Sequence, residues 1–363
     1  MTNNTPARTL TRQQMNTTQT IIKELDIREF RGIRKLAKPL KLGKFNILIG
    51  RNNVGKTAIL EALYLFSMPY GRYPDPIYRK SRLDLLAELH GGKSSLIYGY
   101  AGTAQLKYKI TKTKMRIPIK GIITPITTGD ITIKITRTGI KELKIENTKV
   151  HSGSFKALLN ALNTDPEKRP LCLYIPNNTN AYRKIRDYTL EDPTWSWIEK
   201  KGLHSKAIKE LLTPTIYDKL TEALIRKNQL CVRKEIEKGI GPLYIDVDSL
   251  GEGIKRTLLA YLAIEHLNPK IILWDDIEVA AHPGLLETTL KWLTNTPRQV
   301  VITTHSIDVL HEITRIQPKE CNIITLRKTT DDTINHRTIP PDQLEELLDK
   351  GIDIRKIIDI LEL

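Results

Sequence analysis

The chain has 363 residues, a length for two domains or for one large domain carrying insertions. It is 40% hydrophobic and 27% charged, ordinary for a soluble globular protein. No apolar run approaches the roughly 18–20 residues that span a bilayer, which argues against a membrane subunit, and Cys172, Cys231 and Cys321, scattered and without CxxC spacing, exclude a disulfide scaffold or zinc ribbon and fit a reducing cytoplasm.

Residues 1–20 lack the apolar stretch of a secretory signal and read as a flexible Thr/Asn/Gln-rich tail. Residues 21–49 hold short β-like runs ending in the apolar strand 45–49, and residues 58–66, rich in Ala, Leu and Glu, read as a helix. Residues 69–82, with Pro69, Pro74 and Pro76 among Tyr and Arg, form a loop. The net charge of +16 then proves uneven: residues 105–160 hold twelve Lys/Arg and three Asp/Glu, +9 in 56 residues, against +7 in the other 307. Leu106, Tyr108 and Ile110 alternate with Lys107, Lys109 and Thr111, and Ile131, Ile133 and Ile135 with Thr132, Lys134 and Thr136. That period predicts an antiparallel β layer with one basic face and turns at Gly121, Pro125, Gly129 and Gly139. Two readings of the face stay open: a lysine coat that prevents edge aggregation, or a surface for a nucleic-acid backbone.

Residues 160–176 connect to a short strand at 171–175, and residues 177–180 read as a turn. From 187 to 238 the pattern is read as helical, with Ile208, Leu211 and Leu212, then Leu220, Ala223 and Leu224, at helical spacing. Trp195 and Trp197 offer base stacking or, more simply, buried packing. The last third alternates helix 252–266, strand 270–274, helix 284–294, strand 299–303, helix 306–315 and strand 321–326, which implies a parallel sheet with crossover helices. Two short amphipathic helices finish the chain.

The chemistry lies at the ends of these strands. Gly50-Arg51-Asn52-Asn53-Val54-Gly55-Lys56-Thr57, followed by Ala58, matches GxxxxGK[ST] between an apolar strand and a helix. Such a loop turns its N–H groups onto a phosphate at a helix N-terminus. Lys56 would neutralise the β- and γ-phosphates of a nucleoside triphosphate, and Thr57 would give its hydroxyl to Mg2+. The strand 271–274 ends in Asp275 and Asp276, where the first carboxylate would hold the metal shell and the second would orient or deprotonate water. His305 follows the next strand, and the carboxyl ends of parallel strands share one crevice, so it is assigned as a γ-phosphate sensor. Ser249, Gly251 and Gly253 open an apolar-faced helix, with Ser249 as its N-cap and a second anion-binding helix end as one option.

In this order, the P-loop at 50–57, Ser-Leu-Gly-Glu-Gly at 249–253, the strand-Asp-Asp at 271–276 and Thr-Thr-His-Ser at 303–306 resemble the ABC-type ATPase heads of SMC and RecF proteins. They look closest to the AAA ATPase domain of the OLD (overcoming lysogenization defect) family and its stand-alone relatives. Phe30-Arg31-Gly32 is similar to that group's lead-in sequence, and residues 275–283 to its extended Walker B. The resemblance covers about residues 21–326. It implies an α/β P-loop NTPase: a mixed or parallel sheet flanked by helices, with an antiparallel β layer and a helical subdomain inserted between Walker A and the signature motif. The implied divisions are a tail at 1–20, the N-terminal part of the head at 21–100, a basic β-rich lobe at 101–170, a helical insertion at 171–240, the C-terminal part of the head at 241–330, and a helical segment at 331–363.

The resemblance further implies ATP and Mg2+ as cofactors and a homodimer that sandwiches two ATP molecules. In it, Ser249, Gly251 and Gly253 of one copy touch the γ-phosphate held by the P-loop of the other. Hydrolysis would assign Lys56, Asp276 and His305 as catalytic and Thr57 and Asp275 as metal ligands. Asp276 stands where the family usually has Glu, one methylene longer, so slow turnover is an expectation; Glu278 stands nearby in reserve, expected to support the site rather than to touch its substrate. The glutamine expected between the lobes has no clear position. No Toprim segment of acidic ligands follows the ATPase motifs, so nuclease activity is expected of a separately encoded partner or effector, with DNA repair or anti-phage defence as the setting. A transporter subunit fits less well, since about 190 residues separate Lys56 from Ser249.

Overall fold

The computed structural model describes residues 20–119, 122–216, 218–236 and 241–357. The tail read over residues 1–20 lies almost wholly outside these residues, and the Gly121 turn lies outside them.

β1 (Ile22–Phe30) turns Leu25, Ile27 and Phe30 inward and is followed by β2 (Ile33–Leu36) and β3 (Leu40–Lys41). β4 (Phe45–Gly50) is buried at all but its last position, as a strand covered on both faces must be. α1 (Lys56–Leu65) is buried at nine of its ten positions and lies across the central strands as core. The proline-rich loop after it is held by a buried carboxylate. Asp75 accepts from the Tyr64 hydroxyl (2.7 Å) and from the N–H groups of Ile77 (2.9 Å) and Tyr78 (3.1 Å), and lies 3.9 Å from the buried Arg82 guanidinium. Arg82 opens α2 (Arg82–Leu89), a helix capped by Ser81 that the sequence reading missed.

β5 (Ala104–Ile119), β6 (Ile122–Thr136), β7 (Gly139–Ile145) and β8 (Thr148–Lys149) form the expected antiparallel run, except that Pro125 and Gly129, read as turns, lie within β6. Leu106, Tyr108, Ile110, Ile131, Ile133 and Ile135 face inward, as the alternation requires. The buried side packs on α3 (Ser152–Ala161), again unanticipated. Phe155 of α3 meets Phe66 edge-on at 5.9 Å, Phe66 meets Tyr108 at 5.0 Å, and the Tyr108 hydroxyl donates to Ala62 O (2.7 Å), which ties this layer to α1.

β9 (Cys172–Ile175) is fully buried. The turn read at 177–180 is instead a helix start: the Asn178 side chain accepts from the N–H groups of Asn180 and Ala181 and caps α4 (Thr179–Leu190). α5 (Asp192–Lys200) and α6 (Leu203–Ala207) follow, the latter running on as a π-helical turn through Leu212. Trp195 is buried, so packing is its role. The helical reading then fails. Residues 220–234 are β10 (Leu220–Arg226) and β11 (Gln229–Lys234), a hairpin that β12 (Leu243–Asp246) extends to three strands. Its loop is Lys227-Asn228, both left-handed at φ 50° and 61°, a two-residue turn whose twist matches antiparallel strands. The insertion at 171–240 is therefore helical only from Thr179 to Leu212, between β9 and the hairpin.

The last third follows the predicted alternation: α7 (Glu252–Leu267), β13 (Ile271–Trp274), α8 (Pro283–Asn295), β14 (Gln299–Thr304), α9 (Ile307–Ile316) and β15 (Cys321–Lys328). The segment from 331, read as helical, first gives β16 (Thr333–Ile339), then α10 (Pro341–Asp349) and α11 (Ile354–Ile357). Asn268 and Gln317 end α7 and α9 in the left-handed conformation that closes helices.

Among the described residues, thirteen strands form one mixed sheet in the order β8-β7-β6-β5-β1-β2-β16-β15-β4-β14-β13-β9, with β3 beside β1. β9, β13, β14, β4 and β15 are parallel; β15–β16 and the run from β2 through β1 to β8 pair antiparallel, with β16–β2 parallel. The basic layer is thus continuous with the parallel half, joined to it through β1, β2 and β16. The parallel strands bring Gly50, Asn177, Asp275 and His305 to one edge of the sheet, because each follows or ends a strand running the same way.

Candidate nucleotide-binding site

The loop after β4 is shaped by its backbone. Asn53 and Gly55 are left-handed, at φ 62° and 102°, and Gly55 is the N-cap of α1. A glycine is what allows that turn at the close approach of Ile33, whose Cδ1 would lie 3.1 Å from an added Cβ. Lys56 folds back and donates to Gly50 O (3.0 Å) and Arg51 O (3.2 Å). Burial lowers the Lys56 ammonium below its ordinary value, while the Asp276, Asp275 and Glu278 carboxylates pull it back up. A cleft of about 340 Å³ opens over the loop, lined by residues 52–58 with Arg31, Gly32, Asp276 and His305.

At its floor, Thr57 Oγ1 donates to Asp275 Oδ2 (2.9 Å) and Thr303 Oγ1 donates to Asp275 Oδ1 (2.7 Å). Asp275 is only 6% exposed; burial pushes its carboxyl up to about 6, against the two threonine hydrogen bonds and with help from the Asp276 charge. Two adjacent hard oxygens, on Thr57 and Asp275, suit Mg2+, which takes few protein ligands and keeps water or phosphate oxygens for the rest of its shell. Among the described residues no group of three His, Cys, Asp or Glu is set to hold a metal by itself.

Asp276 is left-handed at φ 46° and its N–H donates to Thr303 Oγ1 (2.7 Å). Its Oδ1 lies 3.7 Å from His305 Nε2, and its Oδ2 accepts from Asn177 Nδ2 (3.2 Å). Glu278 does not take the place of Asp276: its Oε1 accepts the His305 N–H (2.5 Å). The geometry therefore offers a phosphate cradle, a hydroxyl–carboxylate pair for a divalent cation, and a carboxylate–imidazole pair facing the same space.

The AAA ATPase domain family matches residues 21–229, more than half of the chain. The chain belongs to the AAA ATPase domain family. The fold is similar to an SMC head bound to the C-winged helix domain of ScpA, with a TM-score of 0.58 at 12% identity over 92% of this chain and 100% of that one. It is equally similar, at 0.58 and 10% identity over 91% and 99%, to an SMC head domain with an extended coiled coil bound to the C-terminal domain of ScpA, derived from Pyrococcus furiosus. That likeness is one of fold: the chain shares the mixed α/β architecture of an SMC head. A stretch of 48 residues is 52% identical to an uncharacterized protein of Methanocaldococcus jannaschii, MJECL10; it spans 13% of this chain and 22% of that protein.

Ser249, Gly251 and Gly253, read from the sequence as a signature motif, are not among the residues that line the cleft over the P-loop. Ser249 is exposed in a 3-10 turn (Val247–Ser249), and the N-cap of α7 is Gly251, with no side-chain cap. The expected Ser249 cap is thus corrected by two residues: Leu250 is extended and carries the hydroxyl out of reach. Gly253 is a packing glycine, since an added Cβ would stand 2.1 Å from Ala280 O.

Four side chains escaped the sequence reading. Thr303 and Asn177 touch the Asp275–Asp276 pair; Asn177 in turn accepts from Arg256 Nη1 of α7 (3.0 Å). Arg31 lines the cleft while bonded to buried Glu61 of α1 (2.6 Å) and to His90 (3.2 Å). Arg355 reaches the His305 carbonyl. For Thr303, Asn177 and Arg31 the signal lay in strand ends and in the Phe-Arg-Gly lead-in, where position beside a motif counted for more than residue type; Arg355, in α11 and fifty residues beyond His305, had none.

The basic layer is less uniform than its composition. Lys109 pairs with Glu24 of β1 (3.2 Å), and Lys134 (2.9 Å) and Lys144 (3.4 Å) share Glu142. β1 accompanies β5 only to Ile110, and β7 accompanies β6 only from Ile131. Between these limits β5 and β6 run on as a two-stranded ribbon, on which Lys112, Lys114 and Arg116 are exposed and, among the described residues, have no ion pair. A cleft of about 470 Å³ at the ribbon's base, by the amino ends of β13 and β14, adds Lys270. Among the described residues no helix is long and apolar enough to cross a membrane.

Proposed function

We propose that this AAA ATPase domain binds and hydrolyses ATP with Mg2+ and pairs head-to-head with a second copy on ATP, as an OLD-like head does. One observation carries the reading: Thr57 and Asp275, 218 residues apart, share a 2.9 Å hydrogen bond on the floor of a cleft whose other walls are the P-loop, Asp276 and His305. The loop N–H groups and Lys56 bind the β- and γ-phosphates; Lys56 exchanges its two carbonyl partners for them. Thr57 and Asp275 would hold Mg2+, which would supply positive charge beside the phosphates. Asp276 accepts a proton from water or orients it, Asn177 and Thr303 fix that carboxylate, and His305 stands where the γ-phosphate ends.

Ser249 and Gly251 are exposed and do not line the chain's own cleft, which leaves them free to face a second copy. The protein would act in the cytoplasm, in DNA maintenance or anti-phage defence, with DNA on its basic ribbon and a separately encoded nuclease or effector as partner. A second reading, an ATP-gated module with little turnover, draws on Asp276: both its oxygens already have neighbours in Asn177, Thr303 and His305, and its side chain is short.

Sedimentation with saturating ATP and Mg2+ tests the pairing. Asp276→Asn, which binds but does not turn over, is expected to sediment as a dimer, and adding Ser249→Arg is expected to return it to monomer with ATP still bound. A nucleotide-saturated Asp276→Asn protein that stays monomeric would contradict the head-to-head reading.

A further inference from the structure

His305 lies in a two-residue link between β14 and α9, and Ser306 is already committed to capping α9, its Oγ accepting the Asp308 N–H at 3.0 Å. The orientation of the imidazole therefore depends on what fixes the His305 peptide. Its N–H donates to Glu278 Oε1 (2.5 Å), from the stretch that follows the two aspartates. Its carbonyl accepts from Arg355 Nη1 (2.7 Å), from α11, fifty residues further along the chain.

Arg355 is itself held in place. Asp353 accepts from its Nε (2.9 Å) and Nη2 (2.6 Å), and also from its main-chain N–H (3.0 Å). A paired fork of this kind fixes the plane of a guanidinium and leaves Nη1 aimed. Ile354, the residue before Arg355, and Leu344 in α10 are fully buried, so the segment that leads into Arg355 is anchored. The guanidinium stays one-third exposed and borders a small pocket shared with Gly50, Arg51, Thr304 and His305, on the flank of the P-loop. Capping of α11 by Asp353 accounts for the main-chain bond; it leaves unexplained why the arginine reaches back to a carbonyl of the nucleotide site.

We propose that Arg355 is a positioning residue for ATP hydrolysis: with Glu278 it clamps the two ends of the His305 peptide and so aims the imidazole at Asp276 and the γ-phosphate. The inference rests on the ATPase reading above. Arg355 touches no reacting atom; it acts through His305, and it links turnover to the seating of residues 341–357.

The experiment is a double-mutant cycle in the full chain. Phosphate release is measured for wild type, Arg355→Ala, His305→Ala and the double variant, alongside equilibrium binding of a fluorescent ATP analogue and melting temperatures. Arg355→Ala is expected to lower kcat about 10–100-fold with nucleotide affinity within about twofold, and to add little in the His305→Ala background, because coupled residues are non-additive. Asp353→Asn, a milder change, is expected to give a smaller loss of the same kind, and Arg355→Lys, which keeps one donor, a partial recovery. An unchanged kcat, the same fold-loss with and without His305, or affinity falling in step with turnover would overturn the inference. Lys56→Ala separates the two claims. If it matches wild type, the ATPase reading falls and the clamp with it; if it is inactive while Arg355→Ala and Asp353→Asn are fully active, only the clamp falls.

Discussion

Two adjacent carboxylates at the end of β13 have different surroundings: Asp275 is enclosed by Thr57 and Thr303, whereas Asp276 turns into the cleft through a left-handed backbone. Burial raises the Asp275 carboxyl from 3.8 to about 6. A raised pKa means that the folded state favours the proton. The associated stability is complete below about pH 4 and is lost as the pH rises through about 6, after which the fold carries a buried charge worth on the order of 2–3 kcal/mol. Without Mg2+, Asp275→Asn is therefore expected to raise the melting temperature at pH 7.5 by about 2–4 °C, with the difference closing towards pH 4. Thermal denaturation across pH checks this; an asparagine protein that melts lower at pH 7.5 would contradict the assignment of Asp275 as a strained, metal-ready carboxylate. Mg2+-ATP is expected to stabilise wild type and to do little for Asp275→Asn, since the ligand adds stability only where it binds.

At the scale of elements, the ordered loop after α1 shows how the fold supports the site without touching it. Arg82 and Asp75 are both fully buried, and Asp75 braces Tyr64 on the far end of the P-loop helix. Removing one partner strands the other charge, so Arg82→Ala is expected to destabilise the chain by about 3–5 kcal/mol, read as a lower urea midpoint; a midpoint shift worth under about 1 kcal/mol would mean that Asp75 is satisfied without it. The sequence offered no sign of this pair, because an ion pair between a loop and a helix start leaves no periodicity. Periodic elements were legible: the alternation of Leu106 to Ile110 and of Ile131 to Ile135 marked β5 and β6, and the helix–strand repeat after Glu252 marked the parallel half. The β10–β11 hairpin was misread because Leu220, Ala223 and Leu224 fit a helical stripe as well as they fit a strand, and only Lys227-Asn228 signalled a turn. In the site, Lys56, Thr57, Asp275, Asp276 and His305 were found from motifs and strand ends, and they share one cleft or its floor. Asn177 was not, since its contact with Asp276 spans 99 residues and arises only when β9 pairs with β13.

Over the whole molecule, the charge excess separates into paired and unpaired parts. Lys109, Lys134 and Lys144 have carboxylate neighbours, so their fields are largely cancelled; Lys112, Lys114 and Arg116 on the ribbon, with Lys270 beside it, are not cancelled within the described residues. A two-stranded ribbon is also of a size that enters a DNA major groove. Reversal of Lys112, Lys114 and Arg116 to Glu is expected to weaken duplex retention and to flatten its salt dependence by about three counterions, while reversal of Lys109 and Lys134 has the smaller effect. Equal retention by all of these proteins would make the face a lysine coat only. The central claim is nearer the cleft: that Lys56, the Thr57–Asp275 pair and Asp276 turn over ATP. Steady-state phosphate release from ATP with Mg2+ tests it most directly. The predicted result is turnover in wild type that falls at least about 100-fold in Lys56→Ala and in Asp276→Asn and stops when Mg2+ is chelated; release at the wild-type rate in Lys56→Ala would contradict it.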